Sequence, residues 1–194
     1  MDSYTFYAML SRMKYINRWG LMNNTRLENI SEHSQQVAIL AHALVLIHNK
    51  RCGGCLDPER AAVLAVFHDA TEIITGDMPT PVKYKNRRII DAYRQIEDDA
   101  ADRLCEMLPE DFREDYEALL KQSGDGDDEL RPFVKAADRL SALIKCIEEI
   151  RMGNEEFGSA RQSIESSLDA MELPALEIFR AEFLPAFCLT LDEQ

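Results

Sequence analysis

The sequence predicts an all-α protein, and three observations carry that expectation. Apolar residues recur at helical spacing almost throughout, no run alternates strictly between apolar and polar as a half-buried strand would, and the strongest punctuation consists of helix caps and stops. With 194 residues and 46% hydrophobic content the chain can fill one sizeable core, and no stretch has the composition of an interdomain linker. A single domain over residues 1–194 is expected.

Taken in order, the first helix is expected over residues 3–18. The second follows "NISEH", with Ser31 as its cap, and runs to about Lys50. The third is the most sharply marked: in "LDPERAAVLAVFHDATEIITG", Asp57 reads as the N-cap, Pro58 as the first helical residue and Gly76 as the terminator. Pro79 and Pro81 then make "DMPTPVKY" a loop. Helices are expected at 86–107, 110–121, 128–152, 155–171 and 174–184, divided by Pro109, the "SGDGDD" loop, Gly153 and Pro174, with "LTLDEQ" loose or packed on a partner.

Composition narrows the functional classes. A net charge of −13 disfavours DNA or RNA polymers as ligands, since polyanion binding draws on a basic face, but leaves room for a small phosphate ester met by local positive charge. The longest apolar runs, "VAILAHALVLI" and "AAVLAVF", are shorter than the roughly 18 residues of a membrane span. The chain starts "MDSYTFYAML", acidic and without a basic region followed by a cleavage site, so a soluble cytoplasmic protein with no membrane partner is expected. Five cysteines, odd in number, fit reduced thiols; "CGGC" at Cys52 to Cys55 is a lone pair without a second pair to complete a zinc site and reads as a surface turn.

Against this background a few polar residues stand out. On the second helix His33 shares a face with Val37, Leu40, Leu44 and Ile47 and so points inward. His42 is about half a rotation away, and His48 lies ~22 Å further along the axis. On the third helix His68 and Glu72 are one turn apart, with Asp69 turned by ~100°. Asp138 lies among Val134, Ala137, Ser141 and Leu143, where an unpaired carboxylate costs several kcal/mol, unless Arg139 or solvent compensates it. Two imidazoles and two carboxylates without a thiolate suit a divalent first-row ion such as Mn, Co, Fe, Ni or Zn in a site that leaves room for water.

The order His33, His68-Asp69, Asp138 resembles the H…HD…D signature of the HD-domain phosphohydrolases, a helical fold that binds divalent metal. "INRWGLM", "ENISEHSQQVA", "HDATEIITGDMPTPVKY", "VKAADRLSALIKCIEE" and "GNEEF" are further similar to stretches of the bacterial HD-domain 5'-deoxynucleotidases, over nearly the whole chain. The resemblance implies a helical bundle of the HD-domain type acting as a homodimer, with one divalent cation per subunit (Co, Mn or another first-row metal). The implied activity is removal of the 5'-phosphate from deoxyribonucleoside 5'-monophosphates, with discrimination against ribonucleotides. It makes His33, His68, Asp69 and Asp138 the metal ligands, Glu72 the catalytic acidic residue and Arg18 the side chain that orients phosphate. Trp19 falls beside the sugar, and Asp77, Met78, Pro79 and Thr80 form the substrate loop, with Met78 where the family pattern has leucine. His33, Asp69 and Asp138 also border the substrate.

The chemistry is coherent with that implication. A divalent ion acidifies water toward pKa ~7 and polarises a phosphoryl oxygen; Glu72 can reach that water and deprotonate it. Asp77 can meet the leaving 5'-oxygen or the sugar hydroxyl. Arg18 offers a planar fork to two phosphoryl oxygens, with Lys83 and Lys135 as lesser candidates for the same task. A tryptophan ring packed against C2' of the sugar would leave a 2'-hydroxyl neither space nor partner. Two alternatives stay open: an HD-type hydrolase acting on a triphosphate, an alarmone or a cyclic dinucleotide, and a nucleotide sensor without turnover.

Overall fold

The computed structural model describes residues 3–194; Met1 and Asp2, which give the chain its acidic start, lie outside the described residues. The α-helices, in chain order, are α1 (Phe6–Leu10), α2 (Ile30–Arg51), α3 (Pro58–Phe67), α4 (Glu72–Thr75) and α5 (Thr80–Lys83), then α6 (Arg87–Cys105), α7 (Arg113–Leu120), α8 (Asp127–Arg151), α9 (Gly158–Asp169) and α10 (Pro174–Glu182). Short 3₁₀ turns link several of them. No strand occurs among the described residues, and the all-α expectation holds; the one β-bridge is an isolated antiparallel pairing of Asn17 with Asn29.

The two long helices, α2 and α8, pack on each other and form the frame. α3 and α10 lie against α2, while α3 and α9 lie against α8. Their shared core includes Val37, Leu40, Leu44, Leu64, Leu140, Ile144 and Leu176, all buried. A smaller apolar cluster of Phe6, Ala70, Leu104, Leu108 and Leu120 ties α1, α6 and α7 to the turn after α3. At ~25 cal/mol per Å² of apolar surface, such burial supplies most of the drive that holds the helices in place.

Several local expectations need correction. The first helix ends at Leu10, continues as a 3₁₀ turn over Ser11–Tyr15 and then opens, because Ile16 is extended and the following Asn17 pairs with Asn29. The cap of α2 is Asn29, not Ser31: its extended backbone leaves Oδ1 free to accept from the amides of Ser31 (3.1 Å) and Glu32 (3.0 Å), both already inside the first turn. Asp57 does cap α3, through the Arg60 amide at 2.9 Å.

The helix over 58–75 is not continuous. From Phe67 to Ile74 the amides of Ala70, Glu72, Ile73 and Ile74 reach back three residues, a tighter winding than the α-helix that runs into the short α4, where the Thr75 amide again reaches back four. Pro81 does not exclude helix either: it sits in the first turn of α5, where its missing N–H is an orphan in any case. The segments expected as helix at 110–121 and 155–171 begin with 3₁₀ turns over Glu110–Phe112 and Glu155–Phe157. The tail is not loose: Arg151 Nη1 donates to the Phe187 and Leu189 carbonyls, and Thr190 with Glu193 closes a capping box.

Candidate metal and substrate site

The site forms where α2, the turn after α3 and α8 meet. His33, one turn into α2, is fully buried, and its Nδ1 lies 3.0 Å from Ser141 Oγ on α8. The single proton of Ser141 goes to Gln36 Oε1, 2.6 Å away, so Ser141 accepts from His33 Nδ1–H. That leaves His33 Nε2 as a bare lone pair.

His68 is fixed in the same sense by a different device. At the end of α3 its Nδ1 donates to the Ala65 carbonyl at 2.7 Å, an oxygen that can only accept, and its Nε2 is buried with no hydrogen-bond partner. Two imidazoles are thus each held by one nitrogen with the other bared, the usual outer-shell arrangement around metal-ligating histidines.

The bared nitrogens face carboxylate oxygens. Asp138 Oδ1 lies 3.1 Å from His33 Nε2 and 4.0 Å from His68 Nε2; Asp69 Oδ2 lies 3.5 Å and 3.3 Å from the same two atoms. His33, His68 and Asp138 each present a ligand atom within 4.8 Å of the others. His33 Nε2, His68 Nε2 and Asp138 Oδ1, three lone-pair donors without a proton to share, are mutually repulsive unless a cation lies among them; Asp69 Oδ2 stands outside that group of three but close to both imidazoles, and nitrogens with carboxylate oxygens fit a first-row divalent ion.

The tight turn after α3 matters here. It sets Asp69 beside His68, where it faces His33 on α2 and Arg18 together. Asp138 differs from its expectation: its side chain is 40% exposed rather than sunk in apolar surroundings, and Arg139 turns away to the Ser167 carbonyl. The cluster is therefore reached from solvent at Asp138.

Around this centre lies a second tier. Arg18, only 12% exposed, donates from Nη1 to Asp69 Oδ2 at 3.2 Å and from Nε to Glu28 Oε2 at 3.1 Å. Glu72 is buried with Oε2 unpartnered, and burial together with Asp69 and Asp77 pushes its carboxyl up to about 9. A divalent charge nearby acts in the opposite sense. Asp77, after Gly76 with its φ of 74°, is raised by burial while Arg18 counters that effect. Met78 and Pro79 are half-buried and Thr80 is exposed at the start of α5.

Trp19 has a left-handed backbone, φ 60°, which a bulky residue adopts at a cost of ~1–3 kcal/mol. Its Nε1 donates to Glu28 Oε2 at 2.9 Å, and its ring lies 5.3 Å from that of Phe157. Neither lysine candidate joins the group. Lys83 is held by Glu97 at 2.8 Å over the Tyr93 ring, and Lys135 is exposed on α8. The "CGGC" turn carries free thiols, Cys55 exposed and Cys52 half-buried, away from the centre. His48 packs on Phe133 and Gly54, and His42 is half-buried; neither belongs to the centre.

Glu28, Ser141 and Gln36 were not singled out by sequence reasoning. Ser141 and Gln36 each lie on a helix face that packing alone explains, and Glu28 precedes a cap in a polar loop; only contact across the fold shows what they hold.

A helical bundle in which α2, α3 and α8 bring His33, His68 and Asp138 together, with Asp69 beside the two imidazoles, is an HD-domain phosphohydrolase fold. An HD-domain phosphohydrolase from Listeria innocua superposes with a TM-score of 0.80 at 20% identity, covering 94% of this chain and 88% of that one. The HD phosphohydrolase DatZ of cyanophage S-2L, solved bound to dA and one catalytic zinc ion, superposes with a TM-score of 0.62 at 20% identity over 93% of this chain and 95% of its own. The model of the YfbR-like 5'-deoxynucleotidases matches residues 5–187, and a 5'-deoxynucleotidase of Yersinia pseudotuberculosis is 48% identical over 188 residues, 97% of this chain and 95% of that protein. The chain belongs to the YfbR-like 5'-deoxynucleotidase family.

Proposed function

We propose that the protein is a metal-dependent 5'-deoxynucleotidase, removing the 5'-phosphate from deoxyribonucleoside 5'-monophosphates and discriminating against ribonucleotides. One observation carries this reading: the bared Nε2 atoms of His33 and His68 cluster with Asp138, and Asp69 Oδ2 lies 3.5 Å and 3.3 Å from the same two nitrogens, with Arg18 3.2 Å from Asp69 as the adjoining positive charge. Family membership and the activity named for the Yersinia relative support the substrate class.

His33, His68, Asp69 and Asp138 would hold one divalent cation, cobalt, manganese or another first-row ion. Such an ion supplies Lewis acidity toward a phosphoryl oxygen and acidifies water. Arg18 anchors the phosphate: with Nε engaged by Glu28 and one N–H of Nη1 by Asp69, both N–H groups of Nη2 and the second of Nη1 are the donors it can offer to phosphoryl oxygen. Glu72 takes the proton of the attacking water, its unpartnered oxygen being the acceptor. Asp77, on the loop with Met78, Pro79 and Thr80, serves the leaving-oxygen and sugar side. Trp19 occupies the edge where a 2'-hydroxyl would have to fit. We read residues 1–194 as one HD domain acting as a cytoplasmic homodimer; among the described residues no helix is long and apolar enough to cross a membrane.

The test is phosphate release by metal-stripped protein from matched deoxy- and ribonucleoside monophosphates, with Mn, Co, Mg and Zn restored in turn. Release from deoxynucleotides only on restoring an ion is the expected result. Release from triphosphates or cyclic dinucleotides in preference to monophosphates would overturn the assignment, and absence of release with any ion would leave a binding protein.

A further inference from the structure

We propose that Glu28 is a positioning residue that fixes Arg18 and Trp19 as one unit, so that phosphate orientation and sugar discrimination depend on a single carboxylate. The inference rests on the reading of Arg18 and Trp19 as the phosphate and sugar contacts, and adds to it the group that sets both.

One oxygen, Glu28 Oε2, accepts from Arg18 Nε at 3.1 Å and from Trp19 Nε1 at 2.9 Å. Glu28 is 13% exposed, and its backbone carbonyl also accepts from the Arg18 amide at 2.9 Å. The same residue thus holds the backbone and side chain of its neighbour across the loop. With Nε bound to Glu28 and Nη1 to Asp69, the guanidinium plane is fixed and Nη2 keeps one direction. The Trp19 ring is set from two sides, by Glu28 at its nitrogen and by Phe157, which is fully buried, at its face.

The far side of the loop is seated on α8. Glu149 accepts from the amides of Thr25 and Arg26, from Thr25 Oγ1 and from Asn154 Nδ2, and pairs with Lys145, while Asn154 also donates to the Asn23 carbonyl at 2.7 Å. The "GNEEF" segment is therefore the seat of the loop: Asn154 holds its backbone and Phe157 its tryptophan. Glu28 is the part of this assembly that touches both substrate-facing side chains.

Trp19 is the only tryptophan of the chain, so its fluorescence reports on the unit without substrate or metal. In Glu28→Ala, acrylamide quenching of Trp19 should rise severalfold, and the dAMP to AMP ratio of kcat/KM should fall about tenfold together with a rise in KM. Glu28→Gln keeps an acceptor oxygen in place and should restore part of each. In a Trp19→Phe background, Glu28→Gln should lower the ratio little further, because the bond it weakens is already gone. Folded Glu28→Ala with unchanged quenching and an unchanged ratio overturns the proposal. If that variant does not fold, Glu28→Gln decides on the same two readings. Wild-type protein that releases no phosphate sinks the nucleotidase reading instead, and the quenching comparison still decides whether Glu28 holds the loop.

Discussion

At the scale of single residues the site is built from what each histidine does with its second nitrogen. Ser141, with its proton committed to Gln36, and the Ala65 carbonyl oblige His33 and His68 to present bare Nε2 atoms. Ser141→Ala should therefore weaken metal binding by about 10- to 100-fold, read by titrating the apoprotein with cobalt, while the helices stay folded. Glu72→Gln should lower kcat by ~10²–10⁴ with metal content unchanged by elemental analysis; equal loss of metal would make Glu72 a ligand rather than a base. Trp19→Ala should erode the preference for deoxyribose more than it lowers the best rate, and equal dAMP to AMP ratios in variant and wild type would refute that role. His33, His68 and Glu72 could be picked out from the sequence because polar groups on helix faces that turn inward are conspicuous, while Asp69 and Asp138 were joined to them by the resemblance to the H…HD…D signature. Glu28 could not, since a glutamate in a polar loop carries no local sign of what it meets.

At the scale of elements, helix periodicity and caps located most helices, and the failures have local causes. Asn29 displaces Ser31 as a cap because the pairing of Asn17 with Asn29 holds the chain extended there. The interruption between α3 and α4 has no glycine or proline to announce it; Ala70 and Leu104 in the smaller apolar cluster are long-range reasons for the turn. The seat of the Trp19 loop is itself an element-scale device. Glu149 is buried with Lys145 and gathers the loop amides, so Glu149→Ala should cost about 3–5 kcal/mol by leaving a buried ammonium and several donors unpaired. Urea unfolding measures this, and a loss under ~1 kcal/mol would show the pair to be dispensable.

At the scale of the whole molecule the charge balance and the proposed metal site set how stability responds to conditions. Burial of Glu149 acts to raise its pKa, but hydrogen bonds from Lys145, Thr25 and Asn154 prevail and hold it at about 2 in the fold. A carboxylate with a depressed native pKa contributes stability that is complete above its unfolded value, near 4.3, and lost as pH falls through the folded one. Melting temperature should accordingly drop between about pH 4.5 and pH 2, and Glu149→Gln should flatten part of that drop. Because the ion would bind the folded chain and draw together α2, the turn after α3 and α8, restoring it at ~100-fold above Kd should stabilise by about 2.7 kcal/mol. A melting shift of several degrees on chelation, reversed by adding back the ion, checks this; no shift would mean that the four ligands do not share one cation.

The sequence by itself determined the helical class and most helix positions, because amphipathic spacing and caps are local properties of a chain, and it pointed to His33, His68 and Asp138, which the fold brings together. Only the tertiary structure decided which nitrogen each histidine bares, that Asp138 is partly exposed rather than lying in the core, and that one oxygen of Glu28 joins Arg18 to Trp19. Those features depend on side chains brought together across as many as 108 positions, as His33 and Ser141 are, and packing between helices rather than the pattern within one sets such distances.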